Sequence, residues 1–148
     1  IMMLDVVEHL GDPENFLLSL RHSIQQKKKP FILISVPNVA FILVRMNLLA
    51  GRFNYADRGI LDISHKRFFT KSTLLKLLAE TGYNVVSLRG IGVPFQSLSD
   101  NIFFRLAGRF SGFLARLWPS LFAFQFLCEL SVKQTTKQIL TDAKKYSE

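Results

Sequence analysis

The sequence predicts an α/β domain built on an open, mostly parallel sheet. An apolar run at residues 1–4 passes directly into polar residues, a helical pattern follows, and a second apolar run at 31–36 stops at Pro37. The second run is hydrophobic at consecutive positions, which is typical of a strand covered on both faces. Strand, helix and strand within residues 1–36 therefore indicate one right-handed crossover unit.

The size and composition fit one domain with a real core. The chain has 148 residues, of which 49% are hydrophobic and 20% charged, and this balance argues against disorder. Its longest charge-free runs, 30–44 and 117–128, are shorter than the roughly 20 residues that a spanning helix needs. The opening residues show no basic segment of a signal peptide. Cys128 is the single cysteine, so no internal disulfide can form, and a reducing, cytoplasmic compartment is expected.

The net charge of +8 is unevenly distributed, because four of the eleven acidic residues lie in the first fourteen positions. The only basic run is 27–29, at the end of a predicted helix, where lysines complement the helix dipole. A nucleic-acid surface would show clustered basic residues interleaved with exposed aromatic residues. Most phenylalanines here lie in runs that look buried, so a nucleic-acid partner is not favoured.

Helix signals are clear along the first half of the chain. Asp12 is a suitable N-cap and Pro13 suits the first helical position, which predicts a helix over 12–26. A second, apolar helix is predicted over 39–51, ended by Gly51. The polar, irregular stretch 52–69 that follows is long for a loop in a compact domain, and such loops are more often functional than not.

The second half begins with a helix capped by Thr70 and ended near Gly82. A strand is predicted at 84–88, a buried strand at 121–127, and a polar tail at 133–148. Between the strands, 99–117 carries an apolar helical stripe (Phe103, Leu106, Phe110, Phe113 and Leu117) and three arginines (Arg105, Arg109 and Arg116). Such a helix can lie on a membrane or close over a substrate; packing on its own domain is the commoner outcome and is the one expected.

The candidate site is the polar end of the first strand. If the chain is helical from Asp5, then Asp5, Glu8 and His9 share one helix face, where they could hold a divalent cation or transfer a proton. From spacing alone the simpler interpretation is commoner. In it, Asp5 or Asp12 caps a helix and His9 forms a hydrogen bond in a loop.

Three segments, in order, resemble the second half of the class I S-adenosylmethionine-dependent methyltransferases. Asp5–Pro13 is similar to the segment after that family's fourth strand, Ile34–Asn38 to the end of its fifth, and Gly59–Thr70 to the approach to its sixth. The resemblance covers about residues 1–132. It implies a partial Rossmann-like fold with strands four to seven, the last one antiparallel between its neighbours.

The family's glycine-rich loop and the acidic residue after its second strand are missing. The only Gly-x-Gly, Gly90-Ile-Gly92, follows a late strand and lacks the helix that should come next. The resemblance therefore implies a carboxyl-terminal portion that binds S-adenosylmethionine weakly or not at all. It also implies an exposed apolar flank on the first strand.

The resemblance also assigns candidate residues. It implies a divalent metal held by Asp5, Glu8, His9 and His65, which would acidify and orient an acceptor hydroxyl. The alternative is that His9 acts as a general base, or shapes the pocket, with Glu8 orienting its ring. The remaining assignments follow the same resemblance: Leu4 and Asp5 on the cofactor side; Asn38, Tyr55 and Arg67 on the acceptor side.

The expected function is therefore the carboxyl-terminal part of a methyltransferase acting on an oxygen or nitrogen of a small-molecule, lipid or sugar acceptor. It is expected to be inactive without the missing strands. The alternative is a non-catalytic basic module that docks on an anionic membrane or a partner protein through 99–117. An enzyme at the periphery of a membrane is compatible with both expectations.

Overall fold

The computed structural model describes residues 1–25, 30–95 and 101–133. They form a four-stranded sheet in the order β1–β2–β4–β3, with helices around it. In chain order the elements are β1 (Met2–Leu4), a 3₁₀ turn (Val7–His9), α1 (Pro13–Gln25), β2 (Ile32–Pro37), α2 (Ile42–Leu49), α3 (Lys71–Glu80), β3 (Tyr83–Ile91), α4 (Ile102–Leu117), α5 (Pro119–Phe122) and β4 (Gln125–Val132).

The sheet is mixed. β1 and β2 pair in parallel, and β4 inserts between β2 and β3 antiparallel to both. The predicted antiparallel position of the last strand is confirmed. The expectation of a mostly parallel sheet needs correction, because among the described strands only the β1–β2 pairing is parallel. On one face of β2, Ile32, Ile34 and Val36 are completely buried. On its other face Ser35 is 2% exposed and Leu33 is half buried, so β2 is covered on both faces, as the consecutive apolar run predicted.

The helices begin where their capping residues predicted. The backbone N–H of Asn15 donates to the Asp12 carboxylate at 2.9 Å, so Asp12 caps α1. The Thr70 hydroxyl accepts from the backbone N–H of Thr73 at 3.2 Å and caps α3. Inside the core the Tyr83 hydroxyl donates to the Leu17 carbonyl at 2.9 Å and joins β3 to α1.

Three predicted elements differ from the structure. Residues 5–9 form an irregular bend and a 3₁₀ turn rather than a helix from Asp5, whose φ is +54°. The helix predicted over 39–51 is shorter in the structure, where α2 covers only Ile42–Leu49. The strand predicted at 121–127 is wrong at its start. Pro119, with its φ fixed at a helical value, opens the short helix α5, and the strand begins only at Gln125.

The stretch 99–117 contains the predicted helix, α4, but its apolar stripe does not pack on the domain. The helix contacts β3 through small residues instead, and the phenylalanines of the stripe are exposed. Lys27–Lys29, Ser99 and the tail beyond Lys133 lie outside the described residues. In the described ranges no helix is both long enough and apolar enough to cross a membrane.

Candidate active site

The site lies at the carboxyl ends of β1 and β2, where open α/β sheets bind their ligands. The 3₁₀ turn after β1 carries Glu8 and His9. The backbone N–H groups of Lys66 and Arg67 both donate to the Glu8 carbonyl, at 2.9 and 3.0 Å, and tie the 52–69 loop to this turn. The ring of His65 thereby meets the ring of His9 edge to face, with centroids 4.8 Å apart.

The Glu8 carboxylate is the unusual group of the site. The residue is 1% exposed, and neither carboxylate oxygen has a hydrogen-bond partner among the described residues. The pKa of Glu8 is raised to about 7, mainly by burial; the Asp5 charge adds to the rise, and the polarity of Glu8's own backbone and the nearby His9 oppose it. A buried carboxylate without a partner is costly, which makes it a candidate ligand or proton carrier.

Both imidazoles are oriented by backbone carbonyls. The Nδ1 of His65 lies 3.1 Å from the Ile60 carbonyl oxygen, and the Nδ1 of His9 lies 3.3 Å from that of Ser64. A carbonyl oxygen only accepts, so in the neutral form of each ring Nδ1 carries the proton and Nε2 has the lone pair available to a ligand. This is the arrangement found in metal-binding histidines, whose second nitrogen is held by an outer partner.

The Ser64 position is itself fixed by Asp62. The Ser64 backbone N–H and hydroxyl donate to one Asp62 carboxylate oxygen, at 2.8 and 2.6 Å. These hydrogen bonds lower the pKa of Asp62 below its ordinary value. The ring of His9 is therefore held by Ser64. No hydrogen bond joins the Glu8 carboxylate to that ring, so the structure does not support the alternative in which Glu8 orients it.

The three side chains fit a divalent cation. One ligand atom from each of Glu8, His9 and His65 can be chosen so that all lie within 4.8 Å of one another. Ligands on one cation stand about 3 to 3.5 Å apart, so binding would draw the three together by roughly an ångström. Two imidazoles and a carboxylate suit Zn²⁺, Mn²⁺, Fe²⁺ or Ni²⁺, and the ion would supply the partner that the Glu8 carboxylate lacks.

Asp5 lies beside this cluster but is not part of it. Its carboxylate accepts hydrogen bonds from the Ser35 hydroxyl at 3.0 Å and from the Gln125 side-chain amide. Asp5 thus joins β1 to β2 and β4. The cleft in front has a volume of about 200 Å³ and is lined by Asp5, Glu8, His9, Pro37, Gly59, Asp62, His65, Phe124 and Gln125.

The other predicted site residues, Leu4, Asn38, Tyr55 and Arg67, do not line this cleft. Asn38 is completely buried, and its amide donates to the Ala123 carbonyl at 2.8 Å. Arg67 forms an ion pair with Glu14. Tyr55 is exposed and belongs to an aromatic group with Phe53 and Phe68, which also contacts His65. Leu4 is half exposed at the end of β1.

Several contributors to the site were not identified from the sequence. Ile60 and Ser64 act through backbone carbonyls, which leave no mark in a sequence. Gln125 reaches the site from β4, whose start was misplaced. The Asp62-x-Ser64 spacing is the one available signal, since an aspartate commonly bonds the backbone two residues ahead.

The Gly90-Ile-Gly92 segment is a packing contact. A Cβ at Gly90 would come within 2.4 Å of the Ala115 carbonyl oxygen, and one at Gly92 within 2.7 Å of the Gly112 nitrogen. Both glycines therefore let α4 approach the end of β3. Among the described residues, the close contacts of both glycines are made with α4 and its neighbours, which accounts for the two glycines by packing alone.

Comparison of the sequence with family models and with curated proteins gives no match. Among solved structures, the chain is similar to a SAM-dependent methyltransferase from Archaeoglobus fulgidus, with 23% identity and a TM-score of 0.46, covering 89% of this chain and 57% of that one. It is also similar to the small RNA methyltransferase HEN1, with 17% identity and a TM-score of 0.47, covering 90% of this chain and 14% of that one. The chain thus spans 57% and 14% of these two methyltransferases, to which it is similar in structure.

Proposed function

We propose that this chain forms the acceptor side of a methyltransferase-like domain, in which Glu8, His9 and His65 hold a divalent cation next to the acceptor atom. The observation that carries the proposal is the buried Glu8 carboxylate, which has no hydrogen-bond partner in the described residues and lies beside two imidazoles with engaged Nδ1 atoms. Its place at the carboxyl ends of β1 and β2 agrees with a ligand site.

The residues of the cluster have distinct tasks in this proposal. A cation bound there would lower the pKa of an acceptor hydroxyl and fix its oxygen. Glu8 supplies negative charge in a site from which water is excluded, and this strengthens its attraction for the ion. The carbonyls of Ile60 and Ser64 hold both imidazoles in the tautomer that leaves Nε2 free. We place Asp5 at the rim, where Ser35 and Gln125 already satisfy it.

The acceptor would enter past the aromatic group of Phe53, Tyr55 and Phe68, which lies on the 52–69 loop. The exposed rings of Phe53 and Tyr55 suit a flat or apolar acceptor that presents a hydroxyl, such as a small molecule, a sugar or a lipid-like compound. Arg67 is close to this entrance but is paired with Glu14. In the proposal Arg67 therefore fixes the loop as well as adding positive charge.

The methyl donor would be S-adenosylmethionine, approached from the side of Leu4 and Asp5. The proposal assigns its main cradle to polypeptide other than residues 1–148, because the chain carries no glycine-rich loop after its first strand. Equilibrium dialysis with labelled cofactor tests this assignment. We expect no saturable binding by the chain alone, and tight binding would contradict it.

A calorimetric titration with Mn²⁺ tests the cation site without any need for turnover. We expect one ion per chain. Glu8→Gln and His65→Ala should each weaken binding at least tenfold, because the first removes the negative charge of a ligand and the second removes a ligand. His22→Ala is the matched control, since His22 is exposed on α1, and it should bind as the unchanged chain does. Equal binding by all four proteins, or no binding by any, would refute the cation site.

If Mn²⁺ does not bind, the remaining mechanism is His9 as a general base. In that case the His9 Nε2 would accept the proton of the acceptor, with its ring held by Ser64. His9→Ala would then abolish methyl transfer in a protein that carries the cofactor cradle, whereas chelators would have no effect. Sensitivity to chelators would exclude this version.

A further inference from the structure

Helix α4 presents an uncovered apolar face to solvent. Six large apolar side chains on this helix are each between 55% and 70% exposed: Ile102, Phe103, Leu106, Phe110, Phe113 and Leu117. At about 100° of rotation per residue they occupy one arc of about 100°. Singly exposed apolar residues are ordinary, but a continuous stripe along a 16-residue helix marks an interaction surface.

The opposite face of α4 fixes the helix to the domain. Ala115 is completely buried, and Phe104 and Ser111 on the same side are half buried. The Ser111 hydroxyl accepts from the Val93 backbone N–H at 2.9 Å, and Gly90 lies under the Ala115 carbonyl. The domain therefore holds α4 firmly while its apolar stripe points away, so the stripe does not serve the domain's own core.

Positive charge runs along one flank of the stripe. Arg105, Arg109 and Arg116 all lie within about 40° of one another on the helix, between the apolar stripe and the buried face. All three are exposed, and α4 contains no acidic residue. None of the three forms an ion pair with any residue that the structure describes. An apolar stripe bordered by unpaired arginines is the pattern of a helix lying in a membrane interface.

A cleft opens on the same flank. It has a volume of about 310 Å³, and its lining includes Arg89 of β3 together with Gly108, Gly112 and Arg116 of α4. Neither arginine has an acidic partner in the described part of the chain. Two guanidinium groups beside a concave surface suit the phosphate of a lipid headgroup.

We propose that α4 lies on the surface of an anionic membrane, with its apolar stripe in the headgroup and acyl boundary and its arginines at the level of the phosphates. The charge pattern favours this occupant over a second copy of the chain, whose α4 would bring the same arginines into repulsion. Trp118 follows the helix and is 58% exposed, at the position where an aromatic ring commonly sits in such an interface. The proposal does not depend on the cation site.

The test uses the full chain and vesicles of two compositions, phosphatidylcholine alone and phosphatidylcholine with about a third phosphatidylserine. Flotation should recover the protein with the anionic vesicles only, and less of it as salt rises from about 0.1 to 0.5 M. Trp118 is the single tryptophan, so its emission reports on this helix alone. Binding should shift that emission to shorter wavelength.

Two pairs of variants separate charge from apolar contact. Arg105→Glu with Arg109→Glu should weaken vesicle binding by more than about 30-fold, since each arginine lost from an anionic surface costs roughly a factor of five and each new carboxylate adds repulsion. The control, Arg52→Glu with Arg58→Glu, changes the formal charge by the same amount at exposed loop positions. Its vesicle binding should decrease much less. Phe110→Ser with Phe113→Ser should abolish the Trp118 shift. Leu49→Ser with Ile63→Ser, at apolar positions elsewhere that are even more exposed, should preserve it.

The outcomes are decisive because all eight changes lie at exposed positions and should leave the circular dichroism spectrum unchanged. Failure to bind anionic vesicles would overturn the proposal, as would equal losses in the α4 variants and their controls. A dimer of the unchanged chain that becomes a monomer with Phe110→Ser and Phe113→Ser, without vesicle binding, would assign the stripe to a second copy instead.

Discussion

The rings of His9 and His65 meet edge to face at 4.8 Å, although two helices and a strand separate the residues along the chain. The contact depends on the backbone hydrogen bonds that join the Glu8 carbonyl to Lys66 and Arg67. It places both imidazoles beside a carboxylate that has lost its water without gaining a hydrogen bond in the described structure. Such a cluster costs stability unless a ligand completes it.

Replacing Glu8 with glutamine should stabilise the cation-free protein at pH 8 by up to about 3 kcal/mol. The folded-state pKa of Glu8 is raised from 4.5 to about 7. The folded state therefore binds this proton more tightly, and the resulting stabilisation is complete below pH 4.5 and lost as the pH rises through about 7. Glutamine removes the ionisation and its cost.

Urea denaturation at pH 5 and pH 8, in the presence of a chelator, measures this effect. The free energy of unfolding of the unchanged protein should fall from pH 5 to pH 8, and that of Glu8→Gln should fall by less. Glu80→Gln, at an exposed position on α3, is the control and should follow the unchanged protein. A parallel decline in all three proteins would mean that Glu8 is ionised at no unusual cost.

Replacing Asn38 with alanine should lower the free energy of unfolding by about 2 to 3 kcal/mol, because it leaves buried backbone groups without partners. The Asn38 amide donates to the Ala123 carbonyl, and its side-chain oxygen accepts from the Ala40 N–H at 3.0 Å. The first bond joins the residue after β2 to the segment between α5 and β4, and the second closes a local turn. Asn47→Ala on the exposed face of α2 is the control, and a similar small effect of both changes would contradict this role.

Replacing Gly90 with alanine should displace α4 or cost about 1 to 3 kcal/mol of stability. The added Cβ would stand 2.4 Å from a backbone oxygen of α4, which is closer than any real Cβ contact. Gly11→Ala is the matched control, because nothing lies within 4 Å of the Cβ it adds. Thermal unfolding compares the two variants. Equal unfolding midpoints for the two variants would show that α4 is not held this close to Gly90.

Helices α1 and α3 and strand β2 could be predicted from local sequence. Asp12-Pro13, Thr70 and Gly82 mark helix ends through caps and a positive φ, which are properties of a few neighbouring residues. The apolar run of β2 identified a central strand for a similar reason. The pairing of β4 between β2 and β3 followed only from the family resemblance, since no local pattern specifies a long-range order of strands.

The predictions that failed depended on tertiary structure. The stripe of α4 has the periodicity of a core-facing helix, but Gly90 and Gly92 allow the other face of the helix to approach the sheet more closely. Whether a stripe faces the core or solvent is decided by such contacts. Glu8, His9 and His65 were candidates from the resemblance, whereas the carbonyls that orient the two rings could be found only in the structure.

The most direct test of the account is pulsed electron paramagnetic resonance of Mn²⁺ bound to the chain. The spectrum detects directly coordinated imidazole nitrogen. We predict the signature of two imidazole ligands in the unchanged protein, of one in His65→Ala, and of two in the control His22→Ala. A spectrum without imidazole coupling, or one that His65→Ala leaves unaltered, would contradict the proposal that Glu8, His9 and His65 form a cation site.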